Sequence, residues 1–133
     1  MKPKVTCGAI MEKEGKILLT KRNIDPYKGY WCWPGGHVDF GEKAVKAIKR
    51  EVMEEVSLNF EPEFIEYFDE IIPEIQWHAV VLMFKGNFLG EIKPDPKEVS
   101  DFGWFSKEET SRLKLAFKMK DYLNHYFIDV RKN

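Results

Sequence analysis

Cysteine is scarce in these 133 residues: only Cys7 and Cys32 occur. Two thiols this far apart supply neither a disulfide framework nor a zinc site, so both are read as small buried hydrophobes. Long apolar runs are missing too. The longest, Ala79–Phe84, has six residues, where a bilayer span needs about 20. The opening Met1-Lys2-Pro3-Lys4-Val5-Thr6 contains no apolar h-region. No signal peptide and no membrane partner are therefore expected, and a cytoplasmic address is the default. A dominant charge sign is also absent, since 21 Lys+Arg face 22 Asp+Glu for a net charge of −1. That balance argues against a nucleic-acid polymer bound by bulk electrostatics, while leaving room for local binding of a phosphate or a metal. No segment repeats and none is of low complexity.

What remains is ordinary globular material. The chain is 44% hydrophobic, enough for a core, and 32% charged, enough for a mixed-sign surface. A domain of this size buries roughly 65–70% of its unfolded surface and needs no staple. The reading is one domain, residues 1–133.

Hydrophobic patterning places strands at Val5–Met11 and Lys16–Thr20, joined by the turn Glu12-Lys13-Glu14-Gly15. Asn23–Tyr30 is a loop, Trp31–Trp33 a short strand, and Pro34-Gly35-Gly36 a tight turn that brings backbone close to a ligand. Glu42–Val56 is helical by period. Strands follow at Phe64–Glu70, Trp77–Lys85 and Val99–Phe105, with a loop at Gly90–Lys97. Ser106 with Glu109 forms a capping box for a short helix. Ala116–Val130 ends the pattern as an amphipathic helix. Strands on both sides of a central helix, with helices again at the end, predict an α/β or α+β fold built on a mixed sheet.

The central helix carries an unusual charge pattern. On a helical wheel Val45, Ile48, Val52 and Val56 form the expected core stripe. Glu51, Glu54 and Glu55 share another face with Ala44 and Ala47, the smallest neighbours available. A solvated acidic face is the plain alternative. It fits poorly, because Glu51 and Glu55 are like charges at i,i+4, which costs about 0.2–0.5 kcal/mol. Acids in the C-terminal half of a helix also oppose its dipole. Only Arg50 stands four residues from one of these acids, Glu54, in the less favourable order. The pattern points to a cation as the missing partner. Oxygen-only ligands suit a hard divalent ion such as Mg²⁺ or Mn²⁺, with Ca²⁺ also compatible.

Read from Gly36, the spacing is five residues to Glu42, seven more to Arg50-Glu51, then Val52, Met53, Glu54-Glu55, Val56, Ser57 and Leu58. This resembles the Nudix box, Gly-x5-Glu-x7-Arg-Glu-U-x-Glu-Glu-x-Gly-U with U aliphatic, at eight of its nine specified positions. The box spans the 23 residues Gly36–Leu58. The chain length, flanking strands and Trp104-Phe105 extend the likeness. Ser57 departs from the pattern, standing where the family has the Gly that ends the helix with positive φ. That departure bears on the geometry of the helix end and not on the acids.

The resemblance implies a Nudix-like α/β/α sandwich, a mixed β-sheet flanked by helices, with a catalytic loop–helix–loop. It implies Mg²⁺- or Mn²⁺-dependent hydrolysis of a diphosphate bond in a small nucleoside-diphosphate-linked substrate of the ADP-ribose or nucleotide-sugar type. Two alternatives stand beside it: a nucleoside-triphosphate pyrophosphohydrolase and a non-catalytic nucleotide-sensing module of the same fold. By resemblance Glu51, Glu54 and Glu55 match the metal-binding acids, Arg50 orients the neighbouring Glu, and Gly35 or Gly36 adds a carbonyl. Glu42 is structural or an outer ligand. A further acid from a later loop is expected as ligand or base, with Glu98 the first candidate and Asp101 the second. The partner is a small-molecule nucleotide, and a homodimer is left open.

Among other residues, Lys21-Arg22 at a strand end is a candidate phosphate contact, with Arg22 the substrate-binding candidate alongside Gly35 and Gly36. His37 and His78 are candidate substrate contacts. Trp31, Trp33, Phe40, Trp77, Phe102 and Trp104 offer flat surfaces for a base, each divided between that role and the core. Pro73, fifteen positions past Leu58, resembles a marker of the ADP-ribose group.

Overall fold

A computed structural model describes residues 2–131. The elements in chain order are β1 (Lys4–Ile10), β2 (Glu12–Lys13), β3 (Lys16–Arg22), β4 (Trp31–Cys32), β5 (Gly35–His37), α1 (Ala44–Val56), β6 (Asn59–Phe60), β7 (Glu63–Ile72), β8 (Trp77–Lys85), β9 (Phe88–Leu89), β10 (Val99–Phe105), α2 (Lys107–Thr110) and α3 (Met119–His125). One sheet runs β5-β1-β8-β7, with β1 and β8 parallel and the other pairs antiparallel. A second, antiparallel sheet runs β10-β3-β2, with β4 also on β3. β6 and β9 form a small ribbon. This is the expected α/β architecture: a mixed sheet with helices packed on it.

The strand period of two sends side chains to opposite layers. From β1 and its end, Cys7, Ala9 and Met11 join Ala47, Ile48, Val52 and Val56 of α1 in one core. Ile10 joins Met119, Tyr122, Leu123, Tyr126 and Phe127 of the C-terminal helical segment in another. Gly8 leaves room for the Trp33 ring, which a Cβ there would strike.

Strand ends shift by one or two residues and the central helix starts at Ala44 rather than Glu42; three differences go further. The Gly35-Gly36 segment is a strand, β5, because its backbone pairs with β1 in the register Cys7↔Gly36 and Gly8↔Gly35. Val45 is 42% exposed although the wheel puts it on the core stripe. It lies in the first helical turn, and the buried set begins at Ala47. The C-terminal helix starts at Met119 rather than Ala116 and closes on a π-helical turn over Tyr126–Val130. Ala116 donates its N–H to the Trp31 carbonyl at 2.9 Å. Phe117 has φ +54°, a left-handed conformation that no α-helix continues through.

Ser57 occupies the left-handed position expected of the missing Gly, at φ 63°, and its N–H closes on the Met53 carbonyl. The cost of that conformation, about 1–2 kcal/mol for an L-residue, is opposed by its hydroxyl, which donates to the Lys93 carbonyl at 3.0 Å. The Ser106–Glu109 capping box forms as read, with Ser106 Oγ accepting from Glu109 N and Glu109 Oε1 from Ser106 N. Among the described residues no helix is long and apolar enough to cross a membrane.

Ile48 is fully buried in α1, so Ile48→Ala should cost about 2–5 kcal/mol in urea unfolding, whereas Val45→Ala should stay within about 0.5 kcal/mol. His125 sits between Glu66 (2.8 Å) and Asp129 (3.2 Å), and the Glu66 hydrogen bond foremost raises its pKa. A raised folded pKa stabilises fully below the unfolded value and is lost as pH climbs through the folded one. The melting-temperature advantage of wild type over His125→Ala should be present at about pH 6 and gone by about pH 9.

Candidate active site

The site is assembled around α1, whose two ends carry no helping charges: no acid in the first turn, no base in the last. The helix is held by its buried side. That buried arc reaches further than the apolar stripe and includes Glu55, 9% exposed. By wheel geometry Glu55 falls about 20° from Ile48, at the seam where the core face and the acidic face meet. The three carboxylates therefore fan out instead of lying on one open face. Glu55 points inward, the Glu51 side chain is 16% exposed and the Glu54 side chain 48% exposed.

Arg50 sets the arrangement. A guanidinium has five N–H donors, and all are used. Nε donates to Glu42 Oε2 (2.7 Å) and Nη2 to Glu42 Oε1 (3.0 Å), a bidentate pair. Nη2 also donates to the His37 carbonyl (3.1 Å). Nη1 donates to Glu51 Oε1 (2.7 Å) and Glu54 Oε1 (2.8 Å). Glu42 foremost, then Glu54, raise the Arg50 pKa, while Arg50 and the Asp39 N–H pull the Glu42 carboxyl below the usual range. Helical spacing alone gives Arg50 one unfavourably ordered partner, Glu54, and the resemblance adds the neighbouring Glu51. The structure gives it four acceptor residues, which offset much of the like-charge cost.

β5 brings the backbone against these acids. Gly35 N–H donates to Glu55 Oε1 at 2.8 Å. A Cβ on Gly36 would run into the Glu51 carboxylate, and one on Gly35 into the Cys7 carbonyl of β1. Both glycines are required by close approach, since each lies in extended strand.

A cavity of about 320 Å³ opens over this surface. Glu51, Glu55, Glu98, Gly35, Gly36 and Arg22 line it. Burial is the main cause that raises the Glu51 pKa and, more strongly, that of Glu55, with the neighbouring Glu98 adding to both. Of the two late acids, Glu98 reaches the cavity and Asp101 does not. Asp101 caps the Phe102 N–H at 2.8 Å on β10. Glu54 remains outside the lining, on the Arg50 side of the helix. Among the described residues no group of three His, Cys, Asp or Glu is already gathered closely enough to hold a metal. Arg50 draws Glu51 and Glu54 to its own Nη1, while Glu55 faces inward to Gly35.

Other candidates sort clearly. His37 lines the cavity, its pKa lowered by burial and by Lys4. His78 lies outside it on β8, opposite Ile71. Cys7 and Cys32 line the wall as inert thiols, both pushed up to about 12 by burial. Trp33 belongs to the core and shows an edge to the cavity. Trp31 packs on Phe105 and Trp104 on Phe88, Phe102 is 37% exposed, and Phe40 is fully exposed. Pro73 opens a 3₁₀ turn between β7 and β8 and does not line the cavity. Trp77 does line it, as do Lys4, Glu70 and Phe117, which sequence reading left out. Lys4 and Phe117 had no local signal. Glu70 had one, an acid within an apolar strand, that passes for an ordinary exposed position.

The family model for the NUDIX domain matches residues 1–126. An ADP-ribose pyrophosphatase of Methanocaldococcus jannaschii is 45% identical over 129 residues, 91% of this chain and 73% of that protein. Phosphatase NudJ of Escherichia coli is 35% identical over 110 residues, 81% of this chain and 71% of that one. The crystal structure of a MutT NUDIX hydrolase from Burkholderia pseudomallei superposes with TM-score 0.86 at 31% identity, over 93% of this chain and 98% of that one. The chain belongs to the Nudix family. Within it, the enzyme class is that of the Nudix pyrophosphohydrolases.

Because Gly36 has no room for a Cβ beside Glu51, Gly36→Ala should displace that carboxylate and lower turnover by about 100-fold or more. The far end of a flexible side chain can yield, so circular dichroism should stay native.

Proposed function

We infer that this chain, acting as one Nudix domain, hydrolyses the diphosphate bond of a small nucleoside-diphosphate compound of the ADP-ribose type. The observation that carries this is one cavity holding both kinds of wall. Glu51, Glu55, Glu98 and the Gly35–Gly36 backbone line it, and so do Trp77, Phe117, Arg22 and Lys4. The first suits a diphosphate with its cation; the second suits a base and anionic oxygens. The likeness to the ADP-ribose pyrophosphatase supports the choice of substrate.

Glu51, Glu54 and Glu55, with a carbonyl of Gly35 or Gly36, are the residues to hold a divalent cation, Mg²⁺ or Mn²⁺. The donor set is all oxygen, which suits a hard cation, and Glu55, buried with only the Gly35 N–H bonded to its carboxylate, has no protein cation in contact with it among the described residues. A bound cation supplies charge neutralisation at the diphosphate and acidifies water. Arg50 presents Glu51 and Glu54 and holds them in place. Glu98 is the general base: it accepts a proton from the attacking water within the cavity. The water oxygen joins one phosphorus, the bridging oxygen leaves with the other phosphate, and ADP-ribose yields AMP and ribose 5-phosphate. Arg22 is held by a hydrogen bond from its Nε to the Pro26 carbonyl, 2.7 Å, which leaves its other donors to face the phosphates.

The test is a substrate panel assayed with Mg²⁺ and Mn²⁺. ADP-ribose should give AMP and ribose 5-phosphate; release of pyrophosphate from nucleoside triphosphates alone would move the assignment to the triphosphate reading. Glu98→Gln should lower turnover by about 100-fold or more, and Asp101→Asn should stay within about threefold of wild type. The reverse order would transfer the base role to Asp101.

A further inference from the structure

Glu70 is an expensive residue where it stands. It lies on β7, 4% exposed, and lines the cavity. A buried carboxylate pays desolvation unless it is well bonded; burial is what chiefly raises its pKa. Its bonds are specific. Oε1 accepts from Trp77 Nε1 at 2.9 Å, and Oε2 accepts from the Lys118 N–H at 3.1 Å. These reach the two sides of one aromatic surface. The Trp77 ring lies 5.0 Å from the Phe117 ring, tilted by 41°. Phe117, which directly precedes Lys118, has φ +54°, a strained conformation for a bulky residue that persists only where its surroundings impose it. The Ala116 N–H bond to Trp31 fixes one side of it, and the Lys118 N–H bond to Glu70 fixes the other.

Other side chains pack on this pair as well. Tyr27 supports Phe117 at 4.8 Å. Arg22 sits over the Phe117 ring at 5.2 Å and Lys4 over the Trp77 ring at 4.9 Å. Two cations suited to phosphate are thus stationed by the same two rings that suit a base. The rings are too close together to take a base between them, so they act as one wall whose tilt matters. That tilt is held by the single carboxylate that bonds the indole and the turn behind Phe117.

We propose that Glu70 is the positioning residue of the base-binding wall: through Trp77 Nε1 and Lys118 N it holds the Trp77 and Phe117 rings in the orientation that selects substrates carrying a nucleobase. The inference rests on the assignment of a nucleoside substrate and adds the residue that sets its recognition. Glu70 touches neither the cation ligands nor the base Glu98, so its loss acts on binding and not on the bond-breaking step.

The experiment pairs kinetics on ADP-ribose with titration of metal-free protein by AMP and by ribose 5-phosphate, read by tryptophan fluorescence and by calorimetry. Glu70→Ala should raise KM for ADP-ribose and Kd for AMP by about tenfold or more, with kcat within about threefold and ribose 5-phosphate binding unchanged. Glu70→Gln, which keeps an acceptor oxygen and the same shape, should fall between Ala and wild type. If Glu70→Ala does not fold, Glu70→Gln carries the test, with a rise in AMP Kd of about threefold or more expected. AMP affinity unchanged in Glu70→Gln, or weakened in equal proportion with ribose 5-phosphate, would overturn the proposal. So would a fall in kcat with KM unmoved. Wild type that binds AMP in a Glu70-dependent way but hydrolyses no diphosphate would remove the hydrolase assignment and leave this inference standing.

Discussion

Arg50 is the residue on which the site's geometry depends. Its five donors tie the start of the helix segment (Glu42), the strand before it (the His37 carbonyl) and two of the three helix acids into one network. Without it α1 would carry Glu51, Glu54 and Glu55 with no opposing charge on the helix face. Lysine would not substitute: an ammonium is a point donor, whereas the bidentate grip on Glu42 needs a planar fork. The network is also polarised. Arg50 takes charge away from Glu51 and Glu54, while Glu55 is left with one backbone N–H and a buried setting. Two acids are thus preorganised by a cation of the protein, and the third is kept short of partners.

The second organising fact is that the cavity joins an electrostatic wall to an aromatic one. The acids come from α1 and from the chain just before β10. The aromatic wall comes from β8 and from the strained turn before α3. Those elements are far apart in sequence and meet because β1 and β8 are parallel neighbours at the centre of the larger sheet. The MutT Nudix hydrolase neighbour shares this scaffold, and the Glu70–Trp77–Phe117 wall is where we place recognition of a base.

Much of this was legible in the residues and some was not. The architecture followed from the order of periodic segments, and the family from the spacing between Gly36 and Leu58. The acid face of α1 was visible on the wheel, but its fanning was not. A wheel has no depth: it puts Glu55 beside Ile48 but does not show that the carboxylate is buried there, or that Val45 in the first turn is exposed. The extent of Arg50's partnership was hidden because Glu42 and the His37 carbonyl reach it through a loop, not through helical spacing. Ala116–Val130 reads as one helix because its apolar period is unbroken. The tertiary bonds at Trp31 and Glu70 overrule that period at Phe117. Glu70 itself escaped notice because an acid in a strand normally faces water.

The pairing of β5 with β1 has a mechanical meaning. Cys7 lies opposite Gly36 and Gly8 opposite Gly35, and β1 is buried between both cores. The backbone that approaches the acids is thereby clamped to the stiffest part of the molecule, with no side-chain volume to act as a cushion. The ruler against which a diphosphate is measured is the sheet itself. The loop that leads to Glu98 is moored to the helix that bears those acids, since Lys93 and Asp95 donate their N–H groups to the Val56 and Glu55 carbonyls.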